Sequence, residues 1–290
     1  MKRNILVAIL AGLVVIGLLL SIAGCSPQRL RMATTTSLYD TGLWGYLEPM
    51  FEEKYDVEVD ILSLGSGAAF EYGKRGDVDV LTIHDKANEE NFVAEGYGVE
   101  RVPFAYNYFL IVGPKDDPAG IRDLTPEDAF KKLFETKSGS FISRGDNSGT
   151  HSKEKAIWQA AGFDYATVQE SDWAKFKDGG YKEAGAGMGQ ILMMANNERA
   201  YTLTDMGTYV SYKSKLELEL EPIVKEGSIL LNVYSVIAVN PEKVKGVKID
   251  LANNLISFLT SPEIQELIGN YGVEEYGLQL FIPCAGAEPK

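Results

Sequence analysis

The chain has 290 residues, 45% hydrophobic and 24% charged, with 28 Lys and Arg against 41 Asp and Glu, for a formal charge of −13. Such an apolar content excludes a disordered chain, and the acidic balance excludes a nucleic-acid binder, which needs a basic face to displace counterions. Two cysteines and two histidines, with no C-x-x-C or H-E-x-x-H, exclude a disulfide framework and argue against a transition-metal cation or any other cofactor.

Lys2 and Arg3 precede the aliphatic run 5–20, and no further charge appears until Arg29. The segment reads as a signal peptide or a membrane anchor. It closes on Ile22-Ala23-Gly24-Cys25, which resembles the lipobox of exported lipoproteins, in which the cysteine is lipidated and becomes the new N-terminus. Residues 1–24 are therefore expected to be a signal peptide and Cys25 a lipid anchor, with an uncleaved single span as the alternative. Either places residues 25–290 outside the cytoplasm. Without Lys2 and Arg3 the basic count falls to 26 against 41, a net charge of −15. Cys284 is then left without a partner.

From Leu30 onward, strand and helix patterns alternate. Strands are expected at 30–33, 57–62 and 78–83, with helices at 43–54, 68–74 and 87–96. The second half repeats the style, with helices at 126–135, 150–161 and 188–197 and extended segments at 140–143 and 200–204. Helices at 247–259 and 262–271 end the chain, the last with Ser261 as N-cap and Pro262 in its first turn. The alternation implies an α/β fold whose mainly parallel sheets carry helices on both faces.

Two aromatic-aliphatic segments, Asn107 to Pro114 and Asn232 to Pro241, bracket about half of the exported chain. A chain that leaves one lobe and returns needs two such connections, so they are read as hinge strands. The expected division is lobe 1, residues 25–107 plus 233–290, and lobe 2, residues 108–232.

Three polar stretches fall where strands hand over to helices: Thr34-Thr35-Thr36-Ser37, Gly65-Ser66-Gly67, and the loop Ser143-Arg144-Gly145-Asp146-Asn147-Ser148-Gly149-Thr150. Ligands of open α/β sheets settle outside the carboxyl ends of strands, where helix N-termini offer unpaired N–H groups. Taken singly, each stretch is explained by N-capping or a tight turn. Four consecutive hydroxyl residues, and a loop joining a guanidinium to glycines and hydroxyls, are not.

These motifs resemble those of the TupA-type tungstate-binding proteins, the substrate-binding subunits of ABC importers. The matching segments include Ala33 to Ser37, Gly76 to Asp85, Ala94 to Gly98, Tyr106 to Pro114, Asp117 to Ile121, Ser143 to His151, Gly185 to Gly189 and Tyr201 to Asp205. The resemblance implies a two-lobed type II periplasmic-binding-protein fold that closes over one tetrahedral oxyanion, tungstate or molybdate. It places anion contacts on Thr35, Thr36, Ser66, Arg144, Ser148 and Thr150, with Thr34, Ser37, Gly67, Gly149 and Asp205 as additional candidates. It also implies an ABC permease and its ATPase as partners, and a monomeric receptor. Asn147 and Met206 depart from the family pattern, which commonly has Asp and Arg at those positions.

A dianion with acceptors at every corner and no proton needs a pocket of donors. Phosphate keeps a proton near neutral pH and is best read by a buried acceptor. A phosphate receptor is the principal rival, because Arg144, Asp146, Ser148, Gly149 and Thr150 fit the R-x-D-x-S-G-T loop of phosphate-binding proteins, with Asp85 as the acceptor. A serine hydrolase using His84 or His151 lacks a Gly-x-Ser-x-Gly elbow.

Overall fold

The computed structural model describes residues 28–176, 179–216 and 218–289; the expected signal peptide and Cys25 lie outside them. In chain order, the first part comprises β1 (Gln28–Thr35), α1 (Thr36–Asp40), α2 (Leu43–Tyr55), β2 (Val57–Leu64), α3 (Ser66–Arg75), β3 (Val80–Ile83), α4 (Lys86–Ala94) and β4 (Val102–Gly113). Next come α5 (Pro126–Thr136), β5 (Phe141–Ser143), α6 (Gly149–Ala160), α7 (Tyr165–Glu170), β6 (Tyr181–Glu183), α8 (Met188–Glu198), β7 (Thr202–Asp205), α9 (Met206–Leu216) and β8 (Glu221–Val224). A 3₁₀ turn at Ser228–Leu230 leads into β9 (Leu231–Ala238), α10 (Ile249–Leu259), α11 (Pro262–Asn270), α12 (Val273–Tyr276) and β10 (Ile282–Pro283).

The helices follow their apolar spacing. Leu43, Trp44, Leu47 and Phe51 form the buried stripe of α2, and Leu251, Ala252, Leu255, Phe258 and Leu259 that of α10. Thr125 caps α5 by accepting the Asp128 N–H, with Pro126 in the first turn. At α11, Ser261 occupies the cap position, but its hydroxyl donates back to the Phe258 carbonyl. Helix α3 stops at Gly76, whose φ of +77° suits glycine; a Cβ there would also stand 2.7 Å from Val244 Cγ1.

Strand order is β10-β4-β9-β3-β1-β2, with β7 and β8 also paired to β4. β1 runs parallel to both β2 and β3, while β9 returns antiparallel between β3 and β4. β5 and β6 pair in parallel, and a bridge from Phe141 to Tyr201 sets β5 beside the start of β7. The result is a mixed α/β architecture in which short parallel runs, flanked by helices, are completed by antiparallel strands.

β4 serves two neighbourhoods. Residues 102–108 pair with β9, and residues 109–113 with β7 and β8. The cores change over at the same place. Phe104 and Ala105 pack with Leu30, Trp44, Phe51, Tyr234 and Phe258, whereas Phe109 and Ile111 pack with Phe130, Phe141, Trp158, Trp173 and Tyr201. The chain returns at Leu230, which belongs to the second core, and Leu231, which pairs with Tyr108 in the first sheet.

Sequence reading did not anticipate α1, α7, α9, α12 or the short strands β6, β8 and β10. Among the described residues no helix is long and apolar enough to cross a membrane.

Candidate functional site

β1, β2 and β3 lie side by side and end at Thr35, Leu64 and Ile83, so α1, α3 and the His84-Asp85 pair leave one edge of the first sheet. In the other half, β5 and β7 end at Ser143 and Asp205, followed by the arginine loop and by α9. The two edges meet. The Gly149 N–H donates to Ser66 Oγ at 3.1 Å, and Thr208 Oγ1 donates to the Ser37 carbonyl at 3.4 Å. A Cβ on Gly149 would come within 2.7 Å of the His84 carbonyl oxygen, and one on Gly67 within 3.9 Å of the Asn147 carbonyl oxygen.

Most of the hydroxyl-bearing candidates are brought together here, buried, with distinct duties. Thr35 caps α1 by accepting the Leu38 N–H, and Thr36 opens that helix half-buried. Ser66, fully buried in the first turn of α3, accepts from Gly149 and keeps its own proton for another acceptor. Ser148 caps α6 through the His151 N–H. Thr150 Oγ1 is buried without any partner among the described residues. Thr34 and Ser37 are committed elsewhere: Thr34 Oγ1 accepts the Trp44 indole N–H at 3.1 Å, and Ser37 Oγ lies 2.7 Å from His84 Nε2.

Arg144 is only 3% exposed, a position that a guanidinium reaches only when paired. Its Nε and Nη2 donate to Asp146 Oδ2 at 3.1 and 2.6 Å, and Asp146 Oδ1 accepts the Ser148 N–H at 3.1 Å. The fork is thereby fixed, and among the described residues Nη1 has no hydrogen-bond partner. Burial raises Asp146, but Arg144 and Ser148 more than offset it and hold its carboxyl below the usual range. The loop bends through positive φ at Gly145 and Asn147; a Cβ on Gly145 would also strike Glu183 Cβ at 2.7 Å.

Asp205 is fully buried at the end of β7. Its Oδ1 accepts the Thr208 N–H at 2.8 Å, while Oδ2 has no partner among the described residues. Burial raises its pKa, against the pull of Thr208 and of Arg144. Burial likewise raises Asp40, again opposed by Arg144. The guanidinium thus faces several acids, two of which burial biases toward the neutral form.

His84, the residue that sequence reading considered only as a hydrolase base, proves to be a strut. Asn232 Nδ2 donates to Asn107 Oδ1 and Tyr234 Oη, which leaves Asn232 Oδ1 to accept from His84 Nδ1 at 2.8 Å. Nε2 is therefore the acceptor for the Ser37 hydroxyl. Burial lowers the His84 pKa to about 4, with nearby Arg144 and Lys153 adding to the effect, so the ring is neutral. Its partners lie 47 and 148 residues away, and nothing in the local sequence announces them.

A cleft of 430 Å³ opens beside this cluster, lined by His84, Asp85, Lys86, Gly149, Lys153 and Asn232. A larger surface hollow of 790 Å³ around Lys115, Asp116, Arg199 and Lys213 lies apart, and its charges are largely matched, Lys115 to Glu221 and Arg199 to Asp116. Among the described residues no group of three His, Cys, Asp or Glu is placed to hold a metal ion.

A family model described as a PBP superfamily domain matches residues 23–263. The tungstate-binding protein TupA of Peptoclostridium acidaminophilum is 44% identical over 257 residues, covering 88% of this chain and 85% of that protein. Two solved structures align along most of the chain. The tungstate ABC transporter protein of Geobacter sulfurreducens is 46% identical, with a TM-score of 0.73 over 84% of this chain and 98% of that one. The tungstate-binding protein TupA of Desulfovibrio alaskensis G20 is 37% identical, with a TM-score of 0.74 over 89% of this chain and 99% of that one.

Proposed function

The chain belongs to the PBP superfamily, beside the TupA tungstate-binding proteins, and from that premise we propose that it captures tungstate outside the cytoplasm and hands it to an ABC importer. It is a solute-binding protein and not an enzyme. The anion is held between the facing strand ends by Thr35, Thr36, Ser66, Arg144, Ser148 and Thr150, with Gly67 and Gly149 allowing close approach of backbone. One observation supports this reading: a buried Thr150 hydroxyl without a partner among the described residues, on the same loop as a buried arginine whose fork is fixed and whose Nη1 has no partner among them. A dianion lacking protons is the ligand such donors suit.

The strand pairing supports a binding cycle. Lobe 1 comprises residues 25–107 and 233–290, and lobe 2 residues 108–232. They turn about the crossing at Tyr108 and Leu231, and the closed state is stabilised by donors that both lobes supply. Lipidated Cys25 tethers the monomeric receptor to the membrane, beside the permease. Phosphate is the weaker reading because Asp85, the acceptor suggested for it, spends its Oδ2 on Asn88 Nδ2 at 2.8 Å and Ser152 Oγ at 3.3 Å.

The test is calorimetry with tungstate, molybdate, sulfate and phosphate on wild type and on Arg144→Ala. Losing a charge-assisted hydrogen bond costs about 1.5–3 kcal/mol, which weakens tungstate binding by about 10- to 150-fold. Tight phosphate binding with none for tungstate would overturn the ligand assignment, and unchanged tungstate affinity in the variant would overturn the site.

A further inference from the structure

Beneath the arginine loop lies a row of acids and phenols, buried at Glu154 and Tyr181 and open to solvent at Glu183, that anion capture itself does not use. Glu154 on α6 is 2% exposed; Ser143 Oγ donates to its Oε2 at 2.6 Å and Trp158 Nε1 to its Oε1 at 3.1 Å. From Oε1 the row continues to Tyr181 Oη at 2.7 Å, from there to Tyr165 Oη at 2.6 Å, and on to Glu183 Oε1 at 2.6 Å. His151 Nε2 lies 2.7 Å from the Tyr165 oxygen, and His151 Nδ1 accepts the Asn147 N–H at 2.9 Å. The neutral ring therefore carries its proton on Nε2 and gives it to Tyr165.

Counting protons points to the state of this row. Three successive O···O contacts need three hydrogens, and the two phenols supply two. With both carboxyls ionised, one contact would set two lone pairs against each other, a conflict that water can relieve only at the exposed Tyr165–Glu183 end of the row. A third hydrogen on a carboxyl completes all three contacts. Glu183 is partly exposed and accepts Gln169 Nε2 at 2.8 Å; although burial opposes it, Tyr165, Gln169, His151 and Lys155 hold it below the usual range. Glu154 faces Ser143 from β5, Trp158 from its own helix, Tyr181 and Glu183 from β6 and Tyr165 from α7, and no cation is among its hydrogen-bond partners in the described residues. Burial pushes its carboxyl up to about 7.

We propose that Glu154 carries this proton and acts as the positioning residue of the Ser143–Thr150 loop, so that losing the proton loosens the loop and weakens anion capture. Both anchors of the loop run to this row. Ser143, bonded to Glu154, accepts the Gly145 N–H at 3.2 Å, and His151, bonded to Tyr165, accepts the Asn147 N–H. Arg144 and Asp146 are thus held from either side. The inference rests on the reading of the anion site given above.

Tungstate titrations of the purified protein from about pH 6 to about pH 8 are expected to show affinity falling on the order of tenfold, the worth of one buried hydrogen bond left unmade. Tungstate itself has no proton to lose across that range. Glu154→Gln cannot ionise and is expected to bind with no pH dependence. Infrared difference spectra of wild type against that variant should show a protonated-carboxyl C=O stretch at the acid end that fades toward the alkaline end. A flat wild-type profile, or no such stretch, overturns the role of Glu154 while Arg144→Ala still weakens binding. If Arg144→Ala binds as tightly as wild type, the site reading falls and takes this inference with it.

Discussion

Gly149→Ala tests closure of the site separately from its chemistry. Gly149 does not have a positive φ, so alanine can adopt its backbone, and as the first residue of α6 it gains up to about 1 kcal/mol of helix propensity. The obstacle lies across the site, where the new Cβ would stand 2.7 Å from the His84 carbonyl oxygen. An ordinary C···O contact is about 3.3–3.6 Å, so the two edges must part by about 0.6–0.9 Å. That movement stretches the 3.1 Å bond from the Gly149 N–H to Ser66 Oγ beyond useful length, costing about 1 kcal/mol, and residual crowding adds about 1–3 kcal/mol. The sum, about 2–4 kcal/mol, falls on the closed state and weakens tungstate binding by about 30- to 1,000-fold. Calorimetry should show this loss while the thermal midpoint of the ligand-free protein stays level or rises. Binding within about threefold of wild type would refute the argument that capture requires these edges in contact.

Other substitutions separate donors from struts. Thr150→Val removes a buried hydroxyl that no group among the described residues satisfies, so ligand-free stability should rise by about 1 kcal/mol while tungstate affinity falls, as thermal melts and calorimetry would show. Asp205→Asn tests whether that acid reads a proton on the ligand: tungstate affinity should stay within about fivefold and phosphate should still not bind. Stability against pH should show a plateau. His84 and His151, lowered to about 4, cost stability as pH falls from 6.5, whereas Glu154 and Glu89, raised to about 7, cost it as pH rises from 4.5, so the two pairs oppose each other between those limits. Glu154→Gln removes one opposing group, and thermal midpoints should then climb with pH across that window; an unchanged plateau would contradict the assigned shifts.

Local signals carried much of the fold. The stripes of α2 and α10 and the Thr125-Pro126 start of α5 are written in spacing and capping within one segment, and the arginine loop was legible because its Arg144–Asp146–Ser148 bonding spans five residues. What escaped notice depends on partners far along the chain. The Ser37–His84–Asn232–Asn107 row joins α1, the end of β3, β9 and β4, and the Glu154–Tyr181 contact reaches over 27 residues. The hydroxyl run 34–37 concealed a division of labour: Thr34 faces Trp44, Thr35 caps a five-residue helix, and Ser37 supports His84. Helix α9 was hidden because its buried anchor, Asp205, looks in sequence like any other acid.

The crossing of β4 and β9 also constrains the lobe motion proposed above. Tyr108 and Leu231 are ladder partners, and each is followed or preceded by a residue sealed in the second core, Phe109 and Leu230. A hinge of this kind stores no slack. In the proposed cycle, opening is a twist at this crossing, shared over several φ and ψ angles, that keeps the β4–β9 ladder bonds and releases the Gly149–Ser66 and Thr208–Ser37 bonds across the site. On that reading the motion has a small stroke and no unfolding step, and a permease would recognise the loaded protein by the angle between its halves rather than by the anion buried inside.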